Sequence, residues 1–456
     1  MKNRLLLLFV LLPTIVFGQL NYQYYSKAEV ESDIDYLSQK VCAIHPLMLK
    51  EDKINWWNSK VHEIKNELPD SLTQNECYLL MANLMAHLED GHSGVQIPFD
   101  QRKIYTEAGG LVFPFYVKIQ EGSMYVDYYC GNDSALFIGG EEILNINGIN
   151  VKEIIERMEI LFGDKSSYLR QKQIASYFRF LIWIVYGWEG DYDLLITNSK
   201  HRIKHVKVQG ITSDEFLLNK NRNSQVKEKL FALELDESNS IAQMTIKSFG
   251  KLDEFCTFAD SAFTLINSKG IRNLIIDVRD NGGGRSVVVD SLMNYITDQS
   301  YAQYKLIETR VSEELLKYYQ LNYPDKYEML KQSKSDSLNL IPVQIKIPPF
   351  KSNRFMGDLY LLINKGTASA ASTFAGVFKN WNLGTIVGEE TGGKSEFYGD
   401  YWFQETPVTK ISFFVAPKKF TQFGGDSPEE GVKPDYNLVD KKNMILNFAY
   451  DLILYN

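Results

Sequence analysis

Three apolar, β-prone runs in the C-terminal half of the chain each end in a short glycine-containing turn. The runs are 274–278, 359–363 and 385–387, and the turns are Asp-Asn-Gly-Gly-Gly at 280–284, Lys-Gly-Thr-Ala-Ser at 365–369 and Gly-Glu-Glu-Thr-Gly-Gly-Lys at 388–394. Helical patterns lie between the runs, at 252–267, 286–296 and 368–380. Strands that alternate with helices are typical of a mixed, partly parallel sheet, so the sequence predicts an α/β core from about residue 240 onward.

The residues before this core show two other patterns. Apolar residues recur at helical spacing over 26–89, with Asp70 and Ser71 as the expected caps between helices. From Gly109 short strand patterns take over, with an Asn147-Gly148 hairpin turn, helices at 151–161 and 168–186, and a polar loop at 333–339. We therefore divide the chain into a leader at 1–18, a helical N-terminal region at 19–100, a strand-rich region at 101–235 and the α/β core at 236–456.

The leader has the pattern of a secretory signal peptide. Met-Lys-Asn-Arg is followed by an almost wholly apolar stretch at 5–17 and then by Gly18. A membrane anchor is the alternative, but a span needs about 20 apolar residues, and Pro13 disfavours a long helix. We expect an exported protein, periplasmic or secreted, with no stable membrane span once the leader is cleaved.

Composition restricts the class of protein further. The 456 residues are 45% hydrophobic and 13% aromatic, which excludes a disordered chain, and a net charge of −8 with no basic run disfavours a nucleic-acid partner. Four cysteines, at 42, 77, 130 and 256, lack the spacing of a zinc site. Export permits disulfides, but four buried thiols are an equally good interpretation. We expect neither a metal nor an organic cofactor.

The turn at 365–369 places Ser369 at the start of a helix. Unpaired backbone N–H groups there favour negative charge, as a serine nucleophile requires for its oxyanion. The simpler interpretation is that Thr367 or Ser369 only caps the helix. Likewise, the glycines at 282–284 could supply oxyanion donors or merely form a tight turn.

Two residues are candidate bases, although each could be an ordinary surface side chain. Lys394 lies in the third glycine-rich turn, and His92 follows a helical pattern in Leu-Glu-Asp-Gly-His-Ser-Gly at 88–94. The sequence lacks GxSxG, HExxH, GxGxxG and GxxxxGK[ST], so the common hydrolase, zinc-protease and nucleotide motifs are excluded.

Together, in this order, these segments resemble the C-terminal processing, or tail-specific, serine protease family. The family pattern Asp-x-Arg-x-Asn-x-Gly-Gly corresponds to 277–284, Gly-Thr-Ala-Ser-Ala to 366–370 and Val-Gly-Glu-x-Thr-x-Gly-Lys to 387–394, and Lys394 follows Ser369 by 25 positions, as in the family. The resemblance covers about 240–440 and implies a ClpP/crotonase-like core. Residues around Gly148 resemble the end of a PDZ-like module, which the family uses to hold substrate tails.

The resemblance implies site roles. Ser369 is the expected nucleophile, the N–H of Ala370 and of Gly283 or Gly284 the oxyanion donors, and Lys394 the base. A lysine base must be neutral, and since an ordinary lysine pKa is about 10.4, this requires a buried ammonium.

A branch similar to the tricorn protease core uses a histidine from an N-terminal segment instead, and 90–93 resemble its motif. An imidazole, with an ordinary pKa near 6.5, needs no such burial, so both bases remain open. In this version an acidic partner is expected at Glu429 or Glu430.

The chain departs from the lysine-type pattern at Ser395, Tyr398 and Ser372-Thr373, where Gly, Gln and Ser-Glu are usual. The sequence thus predicts an exported serine endopeptidase that acts on peptides or unfolded proteins through an acyl-enzyme. A non-catalytic peptide-tail-binding protein of the same fold and an esterase are the alternatives. The oligomeric state is not predicted.

Overall fold

The computed structural model describes residues 23–131, 137, 139–197, 202–222, 229–439 and 443–455. The predicted signal peptide at 1–18 lies outside these residues. Within the described part of the chain, no helix is both long and apolar enough to cross a membrane.

The first region is mainly helical, as predicted. Its elements are β1 (Tyr24–Ser26), α1 (Lys27–Ile44), a 3₁₀ helix (Pro46–Leu49), α2 (Glu51–Asn66), β2 (Ser71–Thr73), α3 (Gln74–Ala86), β3 (Gly94–Val95) and α4 (Phe99–Glu107). The predicted cap at Asp70-Ser71 is wrong, because Ser71 lies in β2 and Thr73 caps α3 instead. Thr73 forms a capping box with Glu76, which satisfies two backbone donors reciprocally.

The second region combines an antiparallel sheet with helices. Its elements are β4 (Phe115–Gln120), β5 (Ser123–Tyr129), β6 (Glu142–Ile146), β7 (Ile149–Asn150), α5 (Val151–Glu159), α6 (Ser167–Tyr186), β8 (Asp191–Thr197), β9 (Ile203–Gln209) and α7 (Ser213–Arg222). The strand order is β4-β5-β6-β8-β9, with β7 paired to β6. The predicted hairpin turn is confirmed, since Asn147 and Gly148 both have positive φ, as a type I′ turn requires.

The third region is the predicted α/β core. Its elements are β10 (Phe231–Asp236), β11 (Ile241–Ile246), α8 (Leu252–Ser268), β12 (Asn273–Asp277), α9 (Ser286–Ile296), β13 (Tyr304–Val311), α10 (Glu313–Asn322), α11 (Pro324–Leu330), β14 (Ser337–Ile341), β15 (Asp358–Ile363), α12 (Ala370–Asn380), β16 (Thr385–Gly388), β17 (Glu396–Gly399), β18 (Trp402–Glu405), β19 (Ser412–Val415), β20 (Lys418–Gln422), β21 (Tyr436–Asn437) and α13 (Met444–Tyr455). The loop predicted at 333–339 is partly wrong, because β14 begins inside it and pairs with β13. Its polar residues fit an edge strand, where one face meets water.

The central sheet determines where the site lies. Its order is β10-β11-β12-β15-β16-β21, and every pair except β10–β11 is parallel. Because parallel strands end at the same edge, the turns after β12, β15 and β16 meet there, as expected for the ligand site of such a sheet. These are the three glycine-containing turns, so the predicted mixed α/β core is confirmed.

The N-terminal region is packed into this core. Strand β3 joins the sheet β18-β19-β3. The buried carboxylate of Asp33, on α1, accepts hydrogen bonds from the backbone N–H groups of Val408 and Thr409. One buried cluster includes Ile34 from α1 together with Phe413 from β19. These contacts bring residues near 90 to the edge of the central sheet.

Candidate active site

Side-chain and backbone hydrogen bonds hold the turns after β12 and β15 together. Asn364 Oδ1 accepts the N–H groups of Asp280 and Gly366, both at 2.9 Å. The Thr367 hydroxyl donates to the carbonyl of Val278 at 2.9 Å. These bonds fix the backbone that leads into Ser369.

Ser369 has a backbone conformation that few residues adopt. It precedes α12 with φ 50° and ψ −128°, and its side chain makes no capping hydrogen bond. Thr367 does not cap the helix either, because its hydroxyl is bonded to a strand carbonyl. A non-glycine residue in such a conformation costs about 1–3 kcal/mol and is typical of functional sites, so the capping interpretation is wrong for both residues.

The hydroxyl of Ser369 faces the imidazole of His92. The Ser369 Oγ to His92 Nε2 distance is 3.5 Å, and the two residues are 277 positions apart. His92 lies two positions before β3, whose pairing with β19 carries the N-terminal segment to the sheet edge. The rings of Phe397 and Tyr401 lie with their centroids 5.9 and 5.6 Å from that of His92. The imidazole is thereby held between aromatic rings and remains 20% exposed at its side chain.

Asp90 lies beside this imidazole and is almost fully buried. Its Oδ1 accepts the backbone N–H of His92 at 2.9 Å and lies 3.8 Å from the ring nitrogen Nδ1 of His92. Its Oδ2 accepts the Ser93 hydroxyl at 2.6 Å and lies 3.4 Å from Nε2 of the buried His45. Burial opposes the charge on Asp90, but these partners outweigh burial and hold the pKa of its carboxyl below the ordinary value. Asp90 is therefore an ionised, buried carboxylate beside His92.

Lys394 lies at the same cavity but has another partner. Its ammonium lies 3.5 Å from Glu390 Oε1, and its side chain is 28% exposed. A neighbouring carboxylate favours the charged form of a lysine, whereas a lysine base has to be neutral. Tyr398, which replaces the usual Gln, packs on the His45 ring at 4.3 Å between centroids. Among the candidate bases, the structure brings only His92 to Ser369 by a hydrogen bond in the described part of the chain.

The three oxyanion candidates lie around Ser369 but differ in their hydrogen bonds. The N–H of Gly283 donates to Asn281 Oδ1 at 2.8 Å. Gly284 lines the cavity in front of Ser369, and Ala370 begins α12. Within the described residues, the N–H groups of Gly284 and Ala370 have no protein acceptor. These two N–H groups are therefore the candidates for oxyanion donors.

The cavity in front of Ser369 has a volume of about 680 Å³. Its walls come from all three regions: the loop at 89–92, helix α6 and the glycine-containing turns. Lys172 and Tyr168 on α6 bind Asp280, with Lys172 Nζ at 2.9 Å and the Tyr168 hydroxyl at 3.0 Å from Oδ1. These bonds hold helix α6 against the turn that contains Gly283 and Gly284.

Sequence reasoning missed parts of this arrangement. His45, which lies beside Asp90, and Asp164, which lines the cavity, have no spacing in the sequence that links them to Ser369. The sequence predicts Asp90 only as part of the motif at 90–93, although an acid two positions before His92 on a turn is a usable signal for a partner of the histidine. Glu429 pairs with Lys165, and Glu430 pairs with Lys433; the carboxylate beside His92 is Asp90.

The four cysteines all lie within the described residues, and none of them forms a disulfide there. Cys77 and Cys130 are buried, while Cys42 and Cys256 are partly buried. Of the two interpretations that the sequence left open, the structure thus has thiols, not disulfides.

Comparison with known proteins agrees with the motifs. Residues 240–438 match the profile of peptidase family S41. A probable CtpA-like serine protease of Staphylococcus epidermidis is 24% identical over 225 residues, which are 48% of this chain and 38% of that protein. One of Staphylococcus aureus is 24% identical over 248 residues, 53% of this chain and 43% of that protein. The chain spans less than half the length of these curated relatives.

The fold also has a solved counterpart over nearly the whole chain. The structure of mature CPAF complexed with lactacystin superposes with a TM-score of 0.65 at 16% identity, covering 93% of this chain and 96% of that one. At this identity the likeness concerns the fold alone. The motif resemblance is confirmed: residues 240–438 are similar to peptidase family S41, and the matching relatives are named as serine proteases.

Proposed function

We propose that this protein is an exported serine endopeptidase that cleaves peptides or unfolded proteins through an acyl-enzyme on Ser369. The observation that carries the proposal is the 3.5 Å approach of His92 Nε2 to Ser369 Oγ. Catalytic hydrogen bonds are often long without substrate and tighten when substrate binds. The strained backbone of Ser369, which exposes a hydroxyl at the edge of the sheet, supports the same role.

In the proposed mechanism His92 is the general base. Neutral His92 accepts the Ser369 proton at Nε2 while the serine oxygen attacks the substrate carbonyl. Asp90 faces Nδ1 and stabilises the imidazolium that forms, because its own carboxyl stays ionised. His92 then returns the proton to the leaving amine, and water repeats the sequence to release the acyl group. Lys394 takes no part as a base, since it is paired with Glu390.

The N–H groups of Ala370 and Gly284 are the proposed oxyanion donors. Ala370 supplies the first N–H of α12, where the helix dipole favours negative charge. Gly284 lines the cavity, and the close approach of Gly283 to Ser369 is possible because Gly283 has no side chain. Of the two glycines, Gly284 is preferred because Asn281 already accepts the N–H of Gly283.

The proposal extends to the surroundings of the site. Export to the periplasm or outside the cell rests on the leader pattern at 1–18. A PDZ-like module within 101–235 is supported by the antiparallel sheet β4-β5-β6-β8-β9 with α6 packed against β4. The edge strand β17 borders the cavity through Glu396, Phe397 and Tyr398, so an extended substrate would pair with a sheet edge next to Ser369.

Turnover of an unfolded protein mixture by the mature chain tests the proposal. Ser369→Ala should abolish cleavage, and a fluorophosphonate probe should label the parent at Ser369 only. If Ser369→Ala cleaves as well as the parent, the proposed nucleophile is wrong. Binding of peptide tails without turnover by any variant would favour the non-catalytic alternative, and turnover of simple esters but no peptide would favour an esterase.

A further inference from the structure

We infer that His45 is a positioning residue for the proposed reaction: it holds the Asp90 carboxylate in the orientation that keeps His92 directed at Ser369. This inference rests on the proposed function. His45 lies at the end of α1, 45 positions before Asp90, and its side chain is fully buried. No motif of the core includes it, and it does not touch the cavity.

Two hydrogen bonds determine which nitrogen of the His45 ring carries the proton. The backbone N–H of Leu47 donates to His45 Nδ1 at 3.1 Å, so this nitrogen has no proton of its own. In a neutral imidazole the proton is then on Nε2, which lies 3.4 Å from Asp90 Oδ2. His45 is therefore a neutral donor to Asp90.

The surroundings fix the His45 ring in this orientation. Its backbone N–H donates to the carbonyl of Val41, and its carbonyl accepts from the Arg310 guanidinium at 3.3 Å. The Tyr398 ring packs against the imidazole, with centroids 4.3 Å apart. A buried side chain held by bonds on both sides of the ring has little freedom to turn away from Asp90.

The two oxygens of Asp90 have separate partners as a result. Oδ2 accepts from His45 and from Ser93, whose oxygen in turn accepts the N–H of Ala416. Oδ1 is left for the backbone N–H and ring Nδ1 of His92. Without the His45 donor the carboxylate could turn, and His92 would lose its fixed direction toward Ser369.

The same bond lowers the proton affinity of the Asp90–His92 pair. Burial raises the pKa of Asp90, and the hydrogen bond from His45 is the foremost of the contributions that lower it. The loss of this donor makes Asp90 easier to protonate. It also leaves the Asp90 charge beside His92 less compensated, which favours the imidazolium form of His92. The acid limb of a pH–activity profile should then move to higher pH.

Other titratable groups lie near Asp90 and His92, and their effect on the pH–activity profile has to be separated from that of His45. They are Asp164 before α6, Tyr398 on β17, and Tyr401 between β17 and β18. Burial raises the pKa of both tyrosines to about 12, so they stay neutral in the assay range. Asp164 is a second carboxyl that interacts with His92, and Asp164→Asn should move the limb in the opposite direction, to lower pH.

The test compares variants of the full-length chain at position 45. Their side chains differ in whether they can place a hydrogen-bond donor where His45 Nε2 lies. His45→Gln places an amide nitrogen near the position of Nε2, whereas His45→Asn is too short and His45→Leu has no donor. We expect His45→Leu and His45→Asn to lower kcat/KM by roughly 10- to 100-fold through kcat, as for a misplaced catalytic group. Both should move the acid limb to higher pH, and His45→Gln should restore most of the parent profile. His87→Leu, which changes a partly buried histidine at the C-cap of α3, is the matched control.

A second readout does not depend on turnover. Histidine-selective isotope labelling of this chain gives six imidazoles, and the NMR titration of His92 reports the coupled pair directly. Its midpoint should move to higher pH in His45→Asn and His45→Leu but not in His87→Leu. An unchanged acid limb and an unchanged His92 midpoint in folded His45→Asn would overturn the inference. If the parent and Ser369→Ala behave alike in the cleavage assay, the proposed function fails, and the His92 titration still decides whether His45 acts on this pair.

Discussion

His92 and Ser369 approach each other at 3.5 Å, although 277 residues separate them in the chain. Different elements of the fold position the two residues at the site. Ser369 follows the central strand β15, and His92 is carried to the sheet edge by the pairing of β3 with β19. A peptidase domain limited to 240–438 would therefore contain the proposed nucleophile but not the proposed base.

Substitution of the two candidate bases should separate the mechanisms. We expect His92→Ala to lower kcat by about 10⁴-fold or more, because base and nucleophile act as a unit. Lys394→Met should lower kcat less than about tenfold, a change of ~1.4 kcal/mol in the barrier. Steady-state kinetics on one peptide substrate, with folding checked by circular dichroism, measures both.

Ser369→Ala provides the reference for this comparison. If Lys394→Met is as inactive as Ser369→Ala while His92→Ala remains active, Lys394 is the base and the 3.5 Å contact has no catalytic role. Glu390→Gln is a useful control, because it removes the partner of Lys394 without changing the lysine itself.

Neighbouring glycines offer a matched pair for the oxyanion region. A Cβ at Gly283 would lie 2.6 Å from Ser369 Cβ and 2.8 Å from the Ala370 nitrogen, and Gly283 has φ +101°. Gly283→Ala should therefore displace the nucleophile and reduce kcat by at least 10²-fold, since even a 1 Å misplacement has about that cost. Gly282→Ala, where a Cβ would meet nothing within 4 Å, should retain parental kcat.

Measurements of kcat for the two alanine variants under the same conditions test this prediction. Equal kcat values for Gly282→Ala and Gly283→Ala would contradict the close approach of Gly283 to Ser369. A loss of fluorophosphonate labelling in Gly283→Ala alone would show that the defect is in the attack by Ser369.

The sequence predicted the parts of the site that lie within one strand and its turn. Ser369 and the glycines at 283 and 284 follow apolar runs, and parallel pairing brings such turns together. Helix α9 has the predicted bounds, because its apolar spacing is regular and its ends coincide with turns. Local patterns of this kind are visible in one sequence.

What the sequence did not predict depends on tertiary contacts. The choice between His92 and Lys394 rests on the β3–β19 pairing and on the Glu390 ion pair. Neither contact can be predicted from the spacing of residues in the sequence. His45 reaches Asp90 only because α1 packs against the core. Strand β14 was missed because its polar residues form a strand only through pairing with β13.

Stability should depend on pH through Asp280. Burial opposes ionisation of Asp280, but Lys172, together with bonds from Tyr168 and Asn364, holds the pKa of its carboxyl below the ordinary value. A carboxyl whose pKa is lowered in the folded state stabilises the protein at pH values above the ordinary pKa of Asp. This contribution to the free energy of unfolding is lost as the pH falls through the folded-state pKa. The free energy of unfolding of the parent should thus fall below about pH 4.

Asp280→Asn keeps an acceptor for Lys172 and Tyr168 but does not titrate. Urea unfolding at a series of pH values should show a smaller loss of stability on acidification in this variant than in the parent. Asp298→Asn, at an exposed position, is the control and should follow the parent curve. Parallel curves for the parent and Asp280→Asn would show that Asp280 has the same pKa in the folded and unfolded states.

The attachment of the N-terminal region should depend on Asp33. This fully buried carboxylate accepts three hydrogen bonds from residues about 375 positions away: the N–H of Val408, and the N–H and hydroxyl of Thr409, the last two at 2.6 and 2.7 Å. Asp33→Ala leaves these donors buried without an acceptor, and each such group costs about 1–3 kcal/mol. We expect a loss of about 3 kcal/mol in the free energy of unfolding, measured with urea.

Asp35→Ala is the matched control, two positions away on the same helix. Asp35 is 62% exposed at its side chain and pairs with Lys65, so its loss should change stability by less than about 1 kcal/mol. Because α1 also carries His45 at its end, Asp33→Ala should lower peptidase activity at temperatures where the core at 240–438 is still folded. Equal stability of Asp33→Ala and Asp35→Ala would mean that the buried cluster alone attaches α1, and the carboxylate bonds would then have no net effect.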